Sequence, residues 1–365
     1  MSSARLDAIH HALTGLQDPI AAQSWSASKQ VKAVTLAADG AVELAIELSY
    51  PALSQHGALA AGLTEALNAQ GLGPVRVTVT QKIVAHAVQR GLQPLPGVKN
   101  LIAVASGKGG VGKSTTAANL ALALQAEGAR VGLLDADIYG PSVPLMMGVP
   151  GQRPESADGK TMEPLIAHGV QVMSIGFLVP EDQAMIWRGP MATGALEQLL
   201  RQTHWQDLDY LVVDLPPGTG DIQLTLAQRV PVTGALIVTT PQDIALIDAK
   251  KAIKMFEKVG VPILGLVENM AIYCCPNCGH SEAIFGADGG KTMAAELGLA
   301  YLGALPLQRV IREQSDAGTP PVVAEPEGTA ALLYKALARQ SAVAVGRLAK
   351  DYAAKFPTIT ISKAT

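Results

Sequence analysis

The sequence predicts an α/β protein with a mostly parallel sheet covered by helices, preceded by a small N-terminal α+β domain. Three observations carry that expectation. From residue 101 onward, near-continuous apolar runs alternate with helical patterns, as parallel strands buried on both faces require. The first of these runs, 101–105, ends in a glycine-rich loop that opens onto an alanine-rich helical pattern at 115–127. Ahead of it, residues 1–88 carry helical and alternating patterns in the order α-β-β-α-β.

Taken in order, Leu6, Ile9, Leu13 and Leu16 have helical spacing. Strand-like runs at 30–36 and 42–48 flank the turn signal Asp39-Gly40. A helix pattern at 58–69 closes at Gly71, and Val75, Val77 and Val79 alternate as a third strand. The scattered His10, His11, His56 and His86 suggest surface or packing roles. Residues 89–99, in the Pro- and Gly-rich stretch QRGLQPLPGVKN, are the expected linker. A larger β/α-alternating domain at 100–328 follows, with strands expected at 101–105, 131–135, 170–174, 210–215, 234–240, 262–269 and 301–305. Residues 141–161 lack periodicity and suggest a loop excursion. The tail, 329–365, begins with a helical pattern to 355 whose Arg347, Lys350 and Lys355 suggest a solvated outer helix.

The 365 residues are 48% hydrophobic but only 4% aromatic, so Ala, Leu and Val must fill the core. A net charge of −3 provides no global basic field for nucleic acid or an anionic membrane. No apolar run approaches the ~18 residues that span a bilayer. The amphipathic start, without a signal-type apolar core, points to a cytoplasmic protein. The three cysteines lie within five residues, which argues against a disulfide scaffold and for metal or redox chemistry.

Gly107, Gly112, Lys113 and Ser114 occupy the fixed positions of G-x-x-x-x-G-K-S/T, the phosphate-binding P-loop of NTPases, between a strand and a helix signal. Glycines let the backbone bend so that successive N–H groups, from Gly107 through Lys108, Gly109, Gly110, Val111 and Gly112 to Thr115, face phosphate oxygens. The helix N-terminus adds its positive end. Lys113 suits the β/γ-phosphates and the Ser114 hydroxyl suits Mg²⁺. Ligands of parallel sheets sit at strand carboxyl ends, which singles out Asp135, Asp137 and Asp214. Asp214 is the candidate to hold Mg²⁺ through water, and Gly218 gives its loop freedom near the γ-phosphate. Asp135 is the first candidate to orient or activate the attacking water, with Asp137 as the second.

Cys275-Pro276-Asn277-Cys278 sets two thiolates three residues apart, a spacing that reaches one metal centre. Four ligands are needed, and there is no second C-x-x-C. Two chains meeting on a symmetry axis would complete an iron–sulfur or Zn²⁺ site. Alternatively, His280 and Cys274 complete it within one chain.

The segment GKGGVGKS, with its early Lys108, resembles the deviant Walker A motif of dimeric ATPases related to nitrogenase iron protein and the cell-division positioning ATPases. With DADIYGPS (135–142), MIWRGPM (185–191), DYLVVDLPPGTGD (209–221), VTTPQD (238–243), VENM (267–270) and CPNCGH (275–280), the chain closely resembles the bacterial Mrp/ApbC family of iron–sulfur cluster carrier ATPases over about residues 95 to 325. That resemblance implies a homodimer in which Lys108 reaches the partner's ATP and Asn269 contacts the adenine. It also implies a 4Fe–4S cluster on Cys275 and Cys278 at the dimer interface, taken from an assembly scaffold and passed to apo iron–sulfur proteins with ATP hydrolysis. The N-terminal unit resembles, more weakly, an iron–sulfur-assembly domain, but lacks the cysteine commonly found near Tyr50-Pro51. The alternative is a positioning or partitioning ATPase with a structural zinc clip.

Overall fold

The computed structural model describes residues 2–89, 91–156, 158–178 and 189–350. The N-terminal unit begins with α1 (Ser2–Gly15) and a small antiparallel pair, β1 (Gln17–Asp18) and β2 (Gln23–Ser24). Then come β3 (Val31–Leu36), β4 (Val42–Leu48), a 3-10 turn (Leu53–Gln55), α2 (His56–Ala69) and β5 (Val75–Gln81). Gly40, at φ +83°, closes the β3–β4 hairpin, and Asp39 Oδ1 accepts the Ala41 N–H. The strand β4 turns Val42, Leu44, Ile46 and Leu48 inward, onto Ile9 and Leu13 of α1 and Leu59, Leu63 and Leu67 of α2. Because α2 crosses over, β5 pairs parallel to β4.

The larger unit comprises β6 (Leu101–Ala105), α3 (Lys113–Ala126), β7 (Val131–Asp135), α4 (Val143–Met146), β8 (Leu165–Ala167), β9 (Val170–Ser174), α5 (Gly189–Gln202), β10 (Tyr210–Asp214) and α6 (Asp221–Arg229). It continues through β11 (Gly234–Thr239), α7 (Asp243–Lys258), β12 (Ile263–Glu268), β13 (Tyr273–Cys274), β14 (Ser281–Glu282), α8 (Gly289–Leu297), β15 (Tyr301–Ala304), α9 (Arg309–Asp316), α10 (Pro321–Ala324) and α11 (Thr329–Gly346). The sheet order is β15-β12-β11-β6-β10-β7-β9-β8, and every neighbouring pair is parallel except β8 with β9. Central strands β6, β7, β10 and β11 are buried along their whole length, which is why their sequences show no alternation. Chain order reverses at β6: β7 lies to one side beyond β10, and β11 to the other. That crevice faces the phosphate loop. Within the expected loop at 141–161, α4 forms a short helix that buries Val143, Pro144 and Met146. The motif at 185–191 lies partly outside the described residues.

Two segments behave differently from expectation. The tail helix is not solvated: α11 buries Ala331, Tyr334, Leu337, Ala338, Ala342 and Val345 and packs along α3. Small residues let the two helices approach closely, and an alanine-rich face gives little hydropathy contrast in sequence. Arg339 of this helix pairs with the buried Glu127, while Arg347 and Lys350 past its end are exposed as expected, Arg347 Nη2 donating to Ala21 O at 2.6 Å. Lys355 lies outside the described residues. The connector at 89–99 is strapped down: Gln89 Nε2 donates to Ala227 O at 2.6 Å, and its Oε1 accepts the Val232 N–H at 2.8 Å. Lys99 N–H and Leu208 N–H exchange bonds with Leu208 O and Gly97 O.

Candidate functional site

The site is built at the carboxyl ends of β6, β7 and β10. Chain leaving β6 turns through the glycine-rich loop into α3, and its glycines are required for distinct reasons. Gly110 and Gly112 have φ of +81° and +80°, the left-handed region. Gly107 is needed for close approach, since a Cβ there would stand 2.1 Å from the backbone carbon of Asp248 on α7. Asn269, at the end of β12, donates Nδ2–H to Val111 O at 2.8 Å. The expected adenine residue is thus a buried brace of the phosphate loop. Ser114 and Thr115 open α3, half-buried, and Thr116 Oγ1 donates to Gly112 O at 2.8 Å. Lys108 is half-buried on the loop, and no hydrogen bond or ion pair engages its ammonium among the described residues.

Lys113 is buried and meets two carboxylates. Its Nζ is 2.5 Å from Asp214 Oδ1, 3.8 Å from Asp137 Oδ2, and 3.1 Å from the Ser114 hydroxyl. Asp214 is fully buried, and its Oδ2 has no hydrogen-bond partner. Burial pushes the Asp214 carboxyl up, while the Lys113 ammonium and the Ser114 hydroxyl pull it down. Asp137 is also raised, chiefly by burial, against the pull of Lys113. It lines a cavity of about 440 Å³ with Tyr139, Pro216, Pro217, Gly220 and Gln223.

Asp135, the first sequence candidate for handling water, is placed otherwise. It is fully buried, with Oδ1 accepting the Asp137 N–H at 3.1 Å. Its Oδ2 accepts the Val143 N–H and the Ser174 hydroxyl, both at 3.1 Å. Burial and then the neighbouring Asp214 push its pKa up to about 7. Asp135 therefore braces the segment that carries Asp137, and Asp137 has the open side. Asp137 and the orphaned Asp214 oxygen, with the Ser114 hydroxyl, offer oxygen ligands of the kind a hard divalent cation takes. Among the described residues no group of three or more His, Cys, Asp or Glu side chains could hold a metal ion, so such a cation needs phosphate and water oxygens as well.

The thiols sit on the separate β13–β14 hairpin. Gly279, at φ +72°, completes its turn by donating N–H to Cys275 O at 2.9 Å, and Cys275 N–H donates to His280 O at 2.9 Å. Cys278 is exposed, Cys275 half-exposed. The Cys275 thiol lies below the ordinary thiol range because the backbone N–H groups of Cys278 and Asn277 favour its thiolate. His280 and Cys274 do not complete a site with this pair within the chain.

Sequence reasoning missed Ser174 and the bracing role of Asn269. It also missed Glu127, at the far end of α3. Such partners are distant in sequence and leave no local signal.

This fold and loop define a phosphate-loop NTPase with a mostly parallel sheet. The family model described as NUBPL iron-transfer P-loop NTPase, of the ParA group, matches residues 97–342, and the chain belongs to that family. A model described as iron-sulfur cluster assembly protein matches residues 6–81. An iron-sulfur cluster carrier protein of Pseudomonas fragi is 57% identical over 272 residues, covering 74% of this chain and 95% of that protein. One from Synechocystis sp. is 43% identical over 341 residues, covering 92% of this chain and 96% of that one. A nucleotide-binding protein from Archaeoglobus fulgidus, solved in complex with ADP, has a TM-score of 0.56 at 38% identity, covering 64% of this chain and 90% of its own. No helix among the described residues is long and apolar enough to cross a membrane.

Proposed function

We propose that this protein is an ATP-dependent carrier of iron–sulfur clusters. It would act as a homodimer, accept a 4Fe–4S cluster from an assembly scaffold, and pass it to apo-proteins with ATP hydrolysis. The observation that carries the reading is the Cys275/Cys278 pair on its hairpin, Cys278 exposed and Cys275 half-exposed, with Cys275 biased to thiolate and no third His, Cys, Asp or Glu ligand beside them among the described residues. Two such hairpins across a two-fold axis supply the four ligands a cluster needs. The names of the relatives support cluster transfer.

In this reading Lys113 and the loop amides from Gly107 to Thr115 bind phosphates, while Ser114 and Asp214 hold Mg²⁺. Asp137 orients the attacking water, and Lys108 reaches the partner's nucleotide. Asn269 would contact the base as well as brace Val111 O. Residues 1–88 form an assembly-like unit and 100–328 the ATPase, joined by the 89–99 connector and followed by the 329–365 tail. The reduced thiols suit the cytoplasm.

Anaerobic reconstitution with iron and sulfide tests this. Four irons per dimer with a broad visible band, lost in Cys278→Ala while ADP still binds, is the expected result. One tightly held zinc without iron uptake would overturn it in favour of a positioning ATPase with a zinc clip.

A further inference from the structure

Between Asp214 and α6 the chain runs Leu215-Pro216-Pro217-Gly218-Thr219-Gly220. Two consecutive prolines have no N–H, so this loop is tethered only through its other amides and its carbonyls. Leu215 N–H donates to Val104 O, and Gly218 N–H to Ser106 O, each at 3.1 Å. Both acceptors lie where β6 runs into the phosphate loop. Between these ties, a side chain holds the loop: Gln223, at the start of α6, donates Nε2–H to Pro216 O.

Gln223 is 2% exposed, and its Oε1 is buried without a partner. The amide orientation is forced, because turning it over would set Oε1 against a carbonyl oxygen. Leaving a buried acceptor unpaired costs about 1–3 kcal/mol, yet the fold keeps an amide here where an apolar side chain would avoid that cost. The bond therefore serves the loop. Pro217 Cγ lies toward the phosphate loop, 4.0 Å from the place a Cβ on Gly109 would occupy. Gln223 also lines the cavity that Asp137 faces.

We propose that Gln223 is a positioning residue for nucleotide hydrolysis: its amide clamps the Pro216 carbonyl and so fixes the Asp214–Gly218 loop against the phosphate loop. The proposal rests on the ATPase reading above. The Gln223 side chain donates to Pro216 O, and no hydrogen bond joins it to Lys113, Ser114 or Asp214 among the described residues. It sets where Asp214 and the Gly218 amide stand, and misplacement of such groups by about 1 Å costs up to ~10²-fold in rate.

The test uses the full chain with Gln223→Met, of similar length without a donor, and Gln223→Glu, whose carboxyl donates only when protonated. For Gln223→Met, kcat should fall about tenfold while ADP affinity stays within about twofold and melting is little changed. Gln223→Glu should recover toward wild type as the pH is lowered from about 8.5 to 6, because the protonated carboxyl restores the bond to Pro216 O whereas the carboxylate repels it. A wild-type kcat in Gln223→Met, or ADP affinity falling in step with kcat, overturns the proposal. Amide exchange at Gly218 keeps the two readings separable. If the wild-type chain binds MgATP without hydrolysing it, the ATPase reading fails. Faster Gly218 exchange in Gln223→Met then still supports the clamp, and unchanged exchange refutes it.

Discussion

Glu127 joins three parts of the chain that are far apart in sequence. It follows α3, whose other end carries Lys113 and Ser114, and its side chain is fully buried. Oε1 accepts the Ser54 hydroxyl at 2.8 Å and pairs with Arg339 of α11, while Oε2 accepts the Ser54 N–H at 3.0 Å. Its backbone carbonyl accepts the Leu53 N–H at 3.1 Å and Gln81 Nε2 at 3.0 Å. Glu127→Ala would strand the Arg339 guanidinium, whose side chain is 15% exposed, together with the Ser54 N–H. Breaking a buried pair costs about 3–5 kcal/mol, and the partial exposure of Arg339 argues for the lower end. Native-state hydrogen exchange at Leu53 is the informative assay. Its acceptor is a backbone carbonyl that the substitution leaves in place, so faster exchange reports opening of the contact between units. At about 3 kcal/mol that exchange should accelerate on the order of 10²-fold. Amides of β6 should change far less. Unchanged exchange at Leu53 would refute the view that Glu127 holds the N-terminal unit to the core.

Other expectations follow from the same geometry. Asp137→Asn should lower ATP hydrolysis by at least ~10²-fold with ADP affinity preserved, whereas Asp135→Asn should lower the melting temperature first, because its carboxylate serves two backbone N–H groups and a hydroxyl. Steady-state kinetics beside thermal melts separate the two; equal kinetic losses with equal melts would contradict the assignment. Gly107→Ala should cost about 1–3 kcal/mol and weaken ADP binding, since the new Cβ meets the α7 backbone at Asp248 and Ala249; calorimetry with ADP reads it, and wild-type affinity would show that α7 can yield. His86 is buried with Nδ1 directed at Asn100 Oδ1 (2.9 Å) and Nε2 unpartnered, and burial first, then Lys350, lowers its pKa. Because the folded state resists the proton that the unfolded state accepts below about pH 6.5, its contribution is present at neutral pH and is lost as the pH falls below that value, by at most about 1.4 kcal/mol per pH unit. Urea midpoints of wild type and His86→Phe at pH 7.5 and 5.5 should diverge accordingly, and parallel shifts would exclude His86 as the source.

Wherever the physics is local, the sequence carries the answer. A buried parallel strand must be apolar throughout, so β6, β7 and β9 begin and end at the residues their apolar runs mark, and β10, β11, β12 and β15 differ from theirs by a residue or two at the ends. A loop that wraps phosphate needs glycines at fixed offsets and a lysine at the helix start, so the phosphate site is legible from eight consecutive residues. The thiol pair is legible for the same reason, since two ligands on one tight turn must be close in sequence. Residues whose partners lie far along the chain were not legible. Both Asp135 and Asp137 end the same apolar run. Only the packing of β7 against β9, which brings Ser174 to Asp135, turns one carboxylate into a brace and leaves the other facing the cavity. The basic residues of the tail suggested a solvated helix, yet its Arg339 meets the buried Glu127, more than 200 positions away. Side-chain type and spacing determine which groups a segment can offer; tertiary packing decides which are desolvated, and so which are spent on holding the fold and which remain available for chemistry.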